Sequence, residues 1–211
     1  MQEVSIEYFD LSVIATHAKD LLIRTSRENE IPVDIEMIVE SDLGIRPIPV
    51  HGLMDRFNID GFTSSDFTSI YVDQDIFWKS EQRYRFTLAH EVGHCIMHRE
   101  VLSETEIKTL EDWIAFYSNM NEWTRGRFEF QGNAFAGMLL VPSNHLLKSF
   151  NENLTAIMDR INEAQERGIS RSQYINSALD FITTRLCKQF NVSRGVIERR
   201  ISAENLSDGI P

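Results

Sequence analysis

The chain has 211 residues, of which 42% are hydrophobic and 25% charged, as in globular proteins and unlike disordered or fibrous ones. It has 32 acidic residues against 21 lysines and arginines, so its formal net charge of −11 disfavours general binding to nucleic acid or to anionic lipid. Two cysteines are too few for a disulfide framework, and neither a signal segment nor a membrane-spanning apolar run is visible. We therefore expect a cytoplasmic protein.

The N-terminal third begins with helical patterning. Apolar residues between Phe9 and Leu22 recur with a period of 3.6 and predict a helix over residues 7–24. The same pattern predicts a second helix over residues 35–43, with Asp34 as its N-cap and Gly44 just after its end.

A small sheet is predicted next. Three short segments have strand character around the turn-rich residues 61–66: Ile45–Val50, Phe57–Asp60 and Ser69–Asp73. The two prolines of the first segment restrict it to a sheet edge. We expect these segments to form an antiparallel sheet, packed against a helix that the returning 3.6 period predicts over residues 81–98.

Helices dominate the remainder. Ser103 and Glu106 have capping-box spacing and predict a helix over residues 104–118, followed by a loop over 119–127. Four further helices are predicted over residues 128–140, 153–167, 171–189 and 194–201, and the third of these begins with a capping box of Ser170 and Gln173. The predicted fold is α+β and mostly helical, with a core domain over residues 1–150 and a helical subdomain over 151–211.

The chemistry centres on His90-Glu91-Val92-Gly93-His94 in the 81–98 helix. Two histidines four positions apart lie about 40° apart around a helix and about 6 Å apart along it, so both imidazoles can bind one metal ion. Glu91 projects beside such a metal, where it can take a proton from water and pass it to a leaving amine. The segment predicts a catalytic zinc site with Glu91 as general base.

A catalytic zinc ion needs a third protein ligand and an open position. In metzincins that ligand would be a histidine six residues after His94, but Glu100 stands there. In gluzincins a glutamate comes from a later helix, with Asp or Asn four residues beyond it, and Glu129 and Asn133 fit this spacing. Asn133 would then accept a hydrogen bond from His90. The alternative glutamates are Glu100, Glu104 and Glu122.

Three other residues of the 81–98 helix lie close to the motif and need an interpretation of their own. His98 continues the histidine stripe, but a fourth ligand would close the site, so it has either a supporting or a purely structural role. Gly93 costs about 1 kcal/mol in a helix interior relative to alanine, which predicts a close approach by another segment, possible for the Glu129 helix. Cys95 points about 100° away from His94 and is expected to be buried packing.

The motifs together resemble the ImmA/IrrE family of bacterial metallopeptidases. The resemblance rests on Arg85-Phe86-Thr87-Leu88-Ala89-His90-Glu91-Val92-Gly93-His94, on Gln131-Gly132-Asn133-Ala134-Phe135-Ala136, on Leu139-Leu140-Val141-Pro142, on Ser69-Ile70-Tyr71-Val72-Asp73 and on Phe190-Asn191-Val192-Ser193. It covers most of residues 30–201.

The resemblance implies a zincin-like core, with His90, His94 and Glu129 as zinc ligands and Glu91 as general base. It also implies a protein substrate, because several members cleave a helix-turn-helix repressor and so release genes of a mobile element or a stress response. The family commonly has Glu-Ala-Asn where this chain has Gln131-Gly132-Asn133, so the acid that could support the site in the family is missing at position 131. The predicted 104–118 helix could form a lid or a substrate-selecting wall.

Three functions compete at this point. The first is a zinc endopeptidase whose substrate strand pairs with the sheet edge, and candidates for the residue assisting at the oxyanion are Tyr71, Tyr84, His98 and His145. The second is a DNA-binding regulator with a structural or vestigial metal site, because residues 183–201 resemble a helix-turn-helix with a local charge of +4. The net charge makes direct nucleic-acid binding the weaker expectation. The third is a protein that binds a repressor without cutting it.

Overall fold

A computed structural model of the protein describes residues 4–211, so residues 1–3, part of the terminus searched for a signal segment, lie outside the described residues. The chain forms two compact units, which divide between Leu140 and Val141. The predicted boundary at residue 150 falls inside a helix of the second unit, Ser143–Thr155. Within the described residues, no helix combines the length and the apolar character that crossing a membrane requires.

The first unit contains eight α-helices among its described residues. They are α1 (Leu11–Arg24), α2 (Ile35–Met37, continued by a π-helix over Ile38–Asp42), α3 (Leu53–Phe57), α4 (Gln74–Lys79), α5 (Glu81–Met97), α6 (Arg99–Ser103), α7 (Leu110–Ser118) and α8 (Glu122–Leu140). With the sheet described below, they confirm the predicted mostly helical α+β fold.

Over residues 4–211 the sheet has three strands, β1 (Arg46–Val50), β2 (Gly61–Thr63) and β3 (Ser69–Asp73), in the order β1-β3-β2. β1 pairs with β3 in parallel and β2 pairs with β3 antiparallel, so the prediction of an antiparallel sheet is wrong for β1. The chain between β1 and β3 passes through α3 and β2, and this crossover brings β3 back in the direction of β1. The proline-containing strand lies at an edge, as predicted.

The strand predicted over Phe57–Asp60 is also incorrect. Phe57 ends α3, and Asn58 adopts a left-handed conformation at the helix C-cap. The segment treated as a turn supplies β2 instead, and the burial of all three β2 residues explains why an alternating pattern was not visible there.

Helices α5 and α8 pack along each other, and α1 packs against α8. Gly93 permits this contact, since a Cβ atom at Gly93 would lie 3.0 Å from the side chain of Phe135 on α8. The close approach predicted at Gly93 is therefore made by the Glu129 helix. This packing fixes the spacing between the His90–His94 segment and the helix that carries Glu129.

The segment between α5 and α8 differs from its prediction. The Ser103 hydroxyl donates to the carbonyl of Glu100 and caps nothing, whereas the capping box consists of Thr109 and Asp112 at the start of α7. The predicted 104–118 helix is thus shorter, beginning at Leu110. Helix α8 begins six residues before its predicted start, because the Asn121 side chain accepts a hydrogen bond from the Thr124 N–H.

The second unit is helical, with α9 (Ser143–Thr155), α10 (Met158–Glu166), α11 (Arg171–Phe190), α12 (Arg194–Ala203) and a 3₁₀ turn over Leu206–Gly209. The helix predicted over 153–167 is in fact the end of α9 and all of α10, separated by a break at residues 156–157. The capping box of Ser170 and Gln173 is confirmed.

The basic residues of the helix-turn-helix-like end are partly engaged within this unit. Arg194 pairs with Asp180 and Glu198 at 2.8 and 2.7 Å. Arg200 is buried and bonds to Glu204 at 2.7 Å, as well as to Val141 and Ser143. These two arginines act as internal partners and contribute little to a surface that could attract DNA phosphates.

Candidate active site

Helix α5 presents His90, Glu91 and His94 towards one point. The Nε2 atoms of His90 and His94 are 2.8 Å apart, and potential ligand atoms of all three residues lie within 4.8 Å of one another. His94 and Glu91 are buried, whereas the His90 side chain remains 13% exposed. The i, i+4 spacing therefore produces the convergence that the sequence predicts.

Helix α8 brings a second carboxylate and an amide to the same point. Glu129 Oε2 lies 3.4 Å from His90 Nε2, and Asn133 Oδ1 lies 3.2 Å from His90 Nδ1. Gly132 permits this approach, because a Cβ atom there would lie 2.8 Å from the His90 ring and 2.9 Å from the His94 ring. The four residues singled out around the metal from sequence, together with Glu91, thus occupy one site.

Glu91 sits in an apolar environment that raises the pKa of its carboxyl group to about 8. The cause is burial, which penalises the charged carboxylate, and the hydrogen bond donated by the Thr63 hydroxyl opposes it. That bond joins Thr63 Oγ1 to Glu91 Oε2 at 2.9 Å. A threonine of β2 therefore holds one carboxylate oxygen, and the other stays available at the cavity.

His94 is held by aromatic and polar neighbours. Its ring stacks on Phe128 with centroids 3.8 Å apart, and its Nδ1 lies 2.8 Å from Nδ1 of His98. His98 in turn contacts Gln131 Oε1 through Nε2 at 2.7 Å. Burial lowers the pKa of His90 and of His94 and lowers that of His98 to about 4. These imidazoles are therefore neutral at pH 7, the state in which a ring nitrogen can bind a metal ion.

The site opens into a cavity of about 520 Å³. Its lining includes, besides the site residues, Phe57 and Asn58 at the end of α3, Gly61 of β2, Phe86 of α5, and Trp113, Ile114 and Tyr117 of α7. Helix α7 is thus a wall of the cavity. Trp113 anchors this wall by stacking on Phe62, with centroids 5.8 Å apart, in a buried aromatic cluster.

Several residues singled out from sequence lie elsewhere. Glu100, Glu104 and Glu122, the alternative third ligands, are exposed and do not line the cavity. Tyr71, Tyr84 and His98 are also absent from its lining, and His145 belongs to the second unit. Cys95 is buried 3.8 Å from the Thr63 hydroxyl, and burial raises the pKa of its thiol to about 12.

Three residues at the site were not expected from sequence. Thr63 and Tyr117 come from segments predicted as a turn and as part of a longer helix, and Gln131 replaces the glutamate common in the family. The Tyr117 hydroxyl is hydrogen bonded to Glu129, and burial, with Glu129 nearby, raises the pKa of Tyr117 to about 12. Helical spacing would have placed Tyr117 on the Trp113 face of α7, but nothing in the sequence relates that face to Glu129.

The donor set fits a zinc ion. Two neutral imidazole nitrogens and one carboxylate form the three-ligand set of catalytic zinc sites, and the cavity leaves room for a further ligand. His90, His94 and Glu129 are the residues that would hold the metal, and Glu91 stands beside them.

Comparison with known proteins agrees with this geometry. The family model Peptidase_M78, described as the IrrE N-terminal-like domain, matches residues 53–202. No curated protein matches the chain. The matched region covers more than half of the chain and includes α5, α7 and α8 in full. The chain therefore belongs to the ImmA/IrrE family of metallopeptidases.

Proposed function

We propose that the protein is a zinc-dependent endopeptidase, with His90, His94 and Glu129 as metal ligands and Glu91 as general base. The observation that carries the proposal is the convergence of two histidines, His90 and His94, and two glutamates, Glu91 and Glu129, in the lining of one cavity. When bound, zinc supplies a Lewis acid that polarises a scissile carbonyl and lowers the pKa of water.

The chain's own residues carry the proton transfers. Glu91 takes a proton from the attacking water and gives it to the leaving amine, while Thr63 orients the carboxylate by holding Oε2. Tyr117 holds Glu129 through its hydroxyl, and Asn133 accepts a hydrogen bond from Nδ1 of His90. Glu91, Glu129 and His90 therefore each have a hydrogen-bond partner on another element.

The strand β2 offers a place for the substrate main chain. It lies at an edge of the sheet, and Gly61 lines the cavity. An extended peptide added to this edge would pass Glu91, because Thr63 of the same strand contacts it. The apolar side chains of Phe57, Phe86 and Ile114 would then face the substrate side chains.

We further propose that the substrate is a regulatory protein, in the first instance a helix-turn-helix repressor whose cleavage derepresses genes of a mobile element or a stress response. The family resemblance suggests this class. The charge is compatible with it, since a chain with net charge −11 attracts basic partners, and DNA-binding repressors are often basic. Cleavage would be specific for segments that can extend along β2.

The test compares the wild-type chain with Glu91→Gln, in the zinc-loaded form. A reporter gene under a candidate repressor should be released by the wild type and stay repressed with the variant, and mass spectrometry should find new N termini in the repressor only with the wild type. Glu100→Gln, at an exposed site outside the cavity, is the matched control and should behave as wild type.

A Glu91→Gln variant that retains zinc and relieves repression fully would contradict the peptidase proposal in favour of repressor binding without cleavage. General acid–base catalysis typically contributes about 10²- to 10⁴-fold, so the loss should be large enough to separate the two.

A further inference from the structure

A chain of hydrogen bonds runs from the main chain near the N terminus to the imidazole of His94. Gln131 Nε2 lies 3.0 Å from the carbonyl oxygen of Glu7, and Gln131 Oε1 lies 2.7 Å from His98 Nε2. His98 Nδ1 lies 2.8 Å from His94 Nδ1. The side chains of Gln131, His98 and His94 are at most 2% exposed, so water does not compete for these bonds.

The Glu7 carbonyl at one end of the relay fixes which atom donates in every hydrogen bond. A main-chain carbonyl can only accept, so the atom of Gln131 facing Glu7 must be the amide nitrogen, and the oxygen faces His98. His98 Nε2 must then carry a hydrogen to donate. In a neutral ring this leaves Nδ1 of His98 as an acceptor, so the hydrogen between the two rings belongs to His94 Nδ1.

The consequence lies at the other nitrogen of His94. With its hydrogen on Nδ1, neutral His94 has a free lone pair on Nε2, the atom 2.8 Å from His90 Nε2. His90 donates from Nδ1 to Asn133, so its Nε2 is also an acceptor. Two lone pairs facing each other repel unless a cation lies between them. The relay thus prepares the position that a metal ion would occupy.

We propose that Gln131 and His98 are positioning residues that hold His94 in the Nδ1–H tautomer, and that the Glu7 carbonyl sets the orientation of this relay. The inference rests on the proposed function in one respect, that Nε2 of His94 binds the metal. It assigns a role to His98 other than a fourth ligand, and it gives Gln131 two contacts, an acceptor for His98 and a donor to Glu7, of which a carboxylate would keep only the acceptor.

The first test uses the full chain without metal at pH 8, with long-range proton–nitrogen NMR correlations that distinguish the tautomers of each histidine. The expected result is a hydrogen on Nδ1 of His94 and on Nε2 of His98. Finding the hydrogen of His94 on Nε2 would overturn the proposal. Because this measurement needs neither zinc nor activity, it does not depend on the peptidase proposal.

The second test measures zinc affinity by competition with a chelator. Gln131→Leu removes the acceptor for His98, and we expect affinity to fall by roughly 10- to 100-fold, with His94 no longer held in one tautomer. Gln131→Glu keeps an acceptor and should retain the tautomers and most of the affinity. Thr124→Val, at another buried polar residue of α8, controls for general loosening of the helix and should leave affinity unchanged.

Wild-type affinity in Gln131→Leu, with His94 still in the Nδ1–H form, would overturn the relay. The two proposals fail separately. If the chain shows the expected tautomers but neither binds zinc nor cleaves protein, the relay stands and the proposed function is wrong. If it is an active zinc enzyme with the His94 hydrogen on Nε2, the proposed function stands and the relay is wrong.

Discussion

The two histidines of the candidate site lie in different surroundings. His90 is 13% exposed, lies 3.4 Å from Glu129 and is bonded to an exposed asparagine, Asn133. His94 is 1% exposed, stacks on Phe128 and belongs to the relay through His98. The side of the site around His90 is thus open to solvent, and the side around His94 is closed. The open side leaves room for water and substrate, and the closed side is a packed wall of the candidate site.

Truncating either histidine should therefore abolish zinc binding, but the two truncations should differ in their effect on the free energy of unfolding. Both His90→Ala and His94→Ala should lose zinc, measured by elemental mass spectrometry. In metal-free protein, His94→Ala should cost roughly 2–4 kcal/mol of unfolding free energy, because it leaves a cavity beside Phe128 and a buried, unpaired Nδ1 on His98. His90→Ala should cost roughly 1 kcal/mol. Urea unfolding measures both, and equal costs would contradict the division into two sides.

Glu91 is buried like His94, which predicts a pH effect on stability. Its pKa is raised in the fold from 4.5 to about 8, so between these values the folded state keeps a proton that the unfolded state releases. The metal-free protein should therefore lose stability as pH rises from 4.5 to 8, in total on the order of a few kcal/mol at about 1.36 kcal/mol per pKa unit.

The control for this effect is Glu91→Gln, which has no charge to bury. Relative to the wild type without metal, it should gain stability from pH 5 to pH 9 in denaturant titrations and show little difference at pH 4. Zinc should reduce the difference, since a cation beside Glu91 favours the carboxylate. A pH-independent difference between the two proteins would show that Glu91 ionises normally in the fold.

The smallest expected effect concerns Thr63 of β2, which holds Glu91. Thr63→Val keeps the shape of the side chain but removes the donor to Glu91, so the pKa of Glu91 should rise further and kcat should fall about 10-fold, or about 1.4 kcal/mol. KM should change little, and the acid limb of the pH–rate profile should move to higher pH. Thr183→Val, buried in the second unit, is the control. A change in KM alone would assign Thr63 to substrate binding.

Local rules predicted the parts of the site that one helix supplies. The spacing of His90 and His94, and that of Glu129 and Asn133, needs only the 3.6-residue period, and both pairs lie where this period puts them. The same rules failed for β1 and for the segment between α5 and α8. The direction of β1 depends on a crossover, and whether a capping box forms at the predicted Ser103 or at Thr109, where the structure has it, depends on which hydroxyl finds a free N–H.

The residues that complete the site were beyond sequence reasoning because their partners are distant in the chain. Thr63 and Glu91 are 28 positions apart, and Gln131 and Glu7 are 124 apart. No local pattern records such pairs, since each partner alone is an ordinary polar residue.

By itself, the sequence determined the mostly helical α+β class and the pair of histidines on one helix, because these follow from periodicity and from residue types at short spacing, and its motifs carried the family resemblance. The tertiary structure decided which side of the metal position is open, which hydroxyls hold Glu91 and Glu129, and how the protons of His94 and His98 are arranged. Those features depend on burial and on hydrogen bonds between elements that only packing brings into contact.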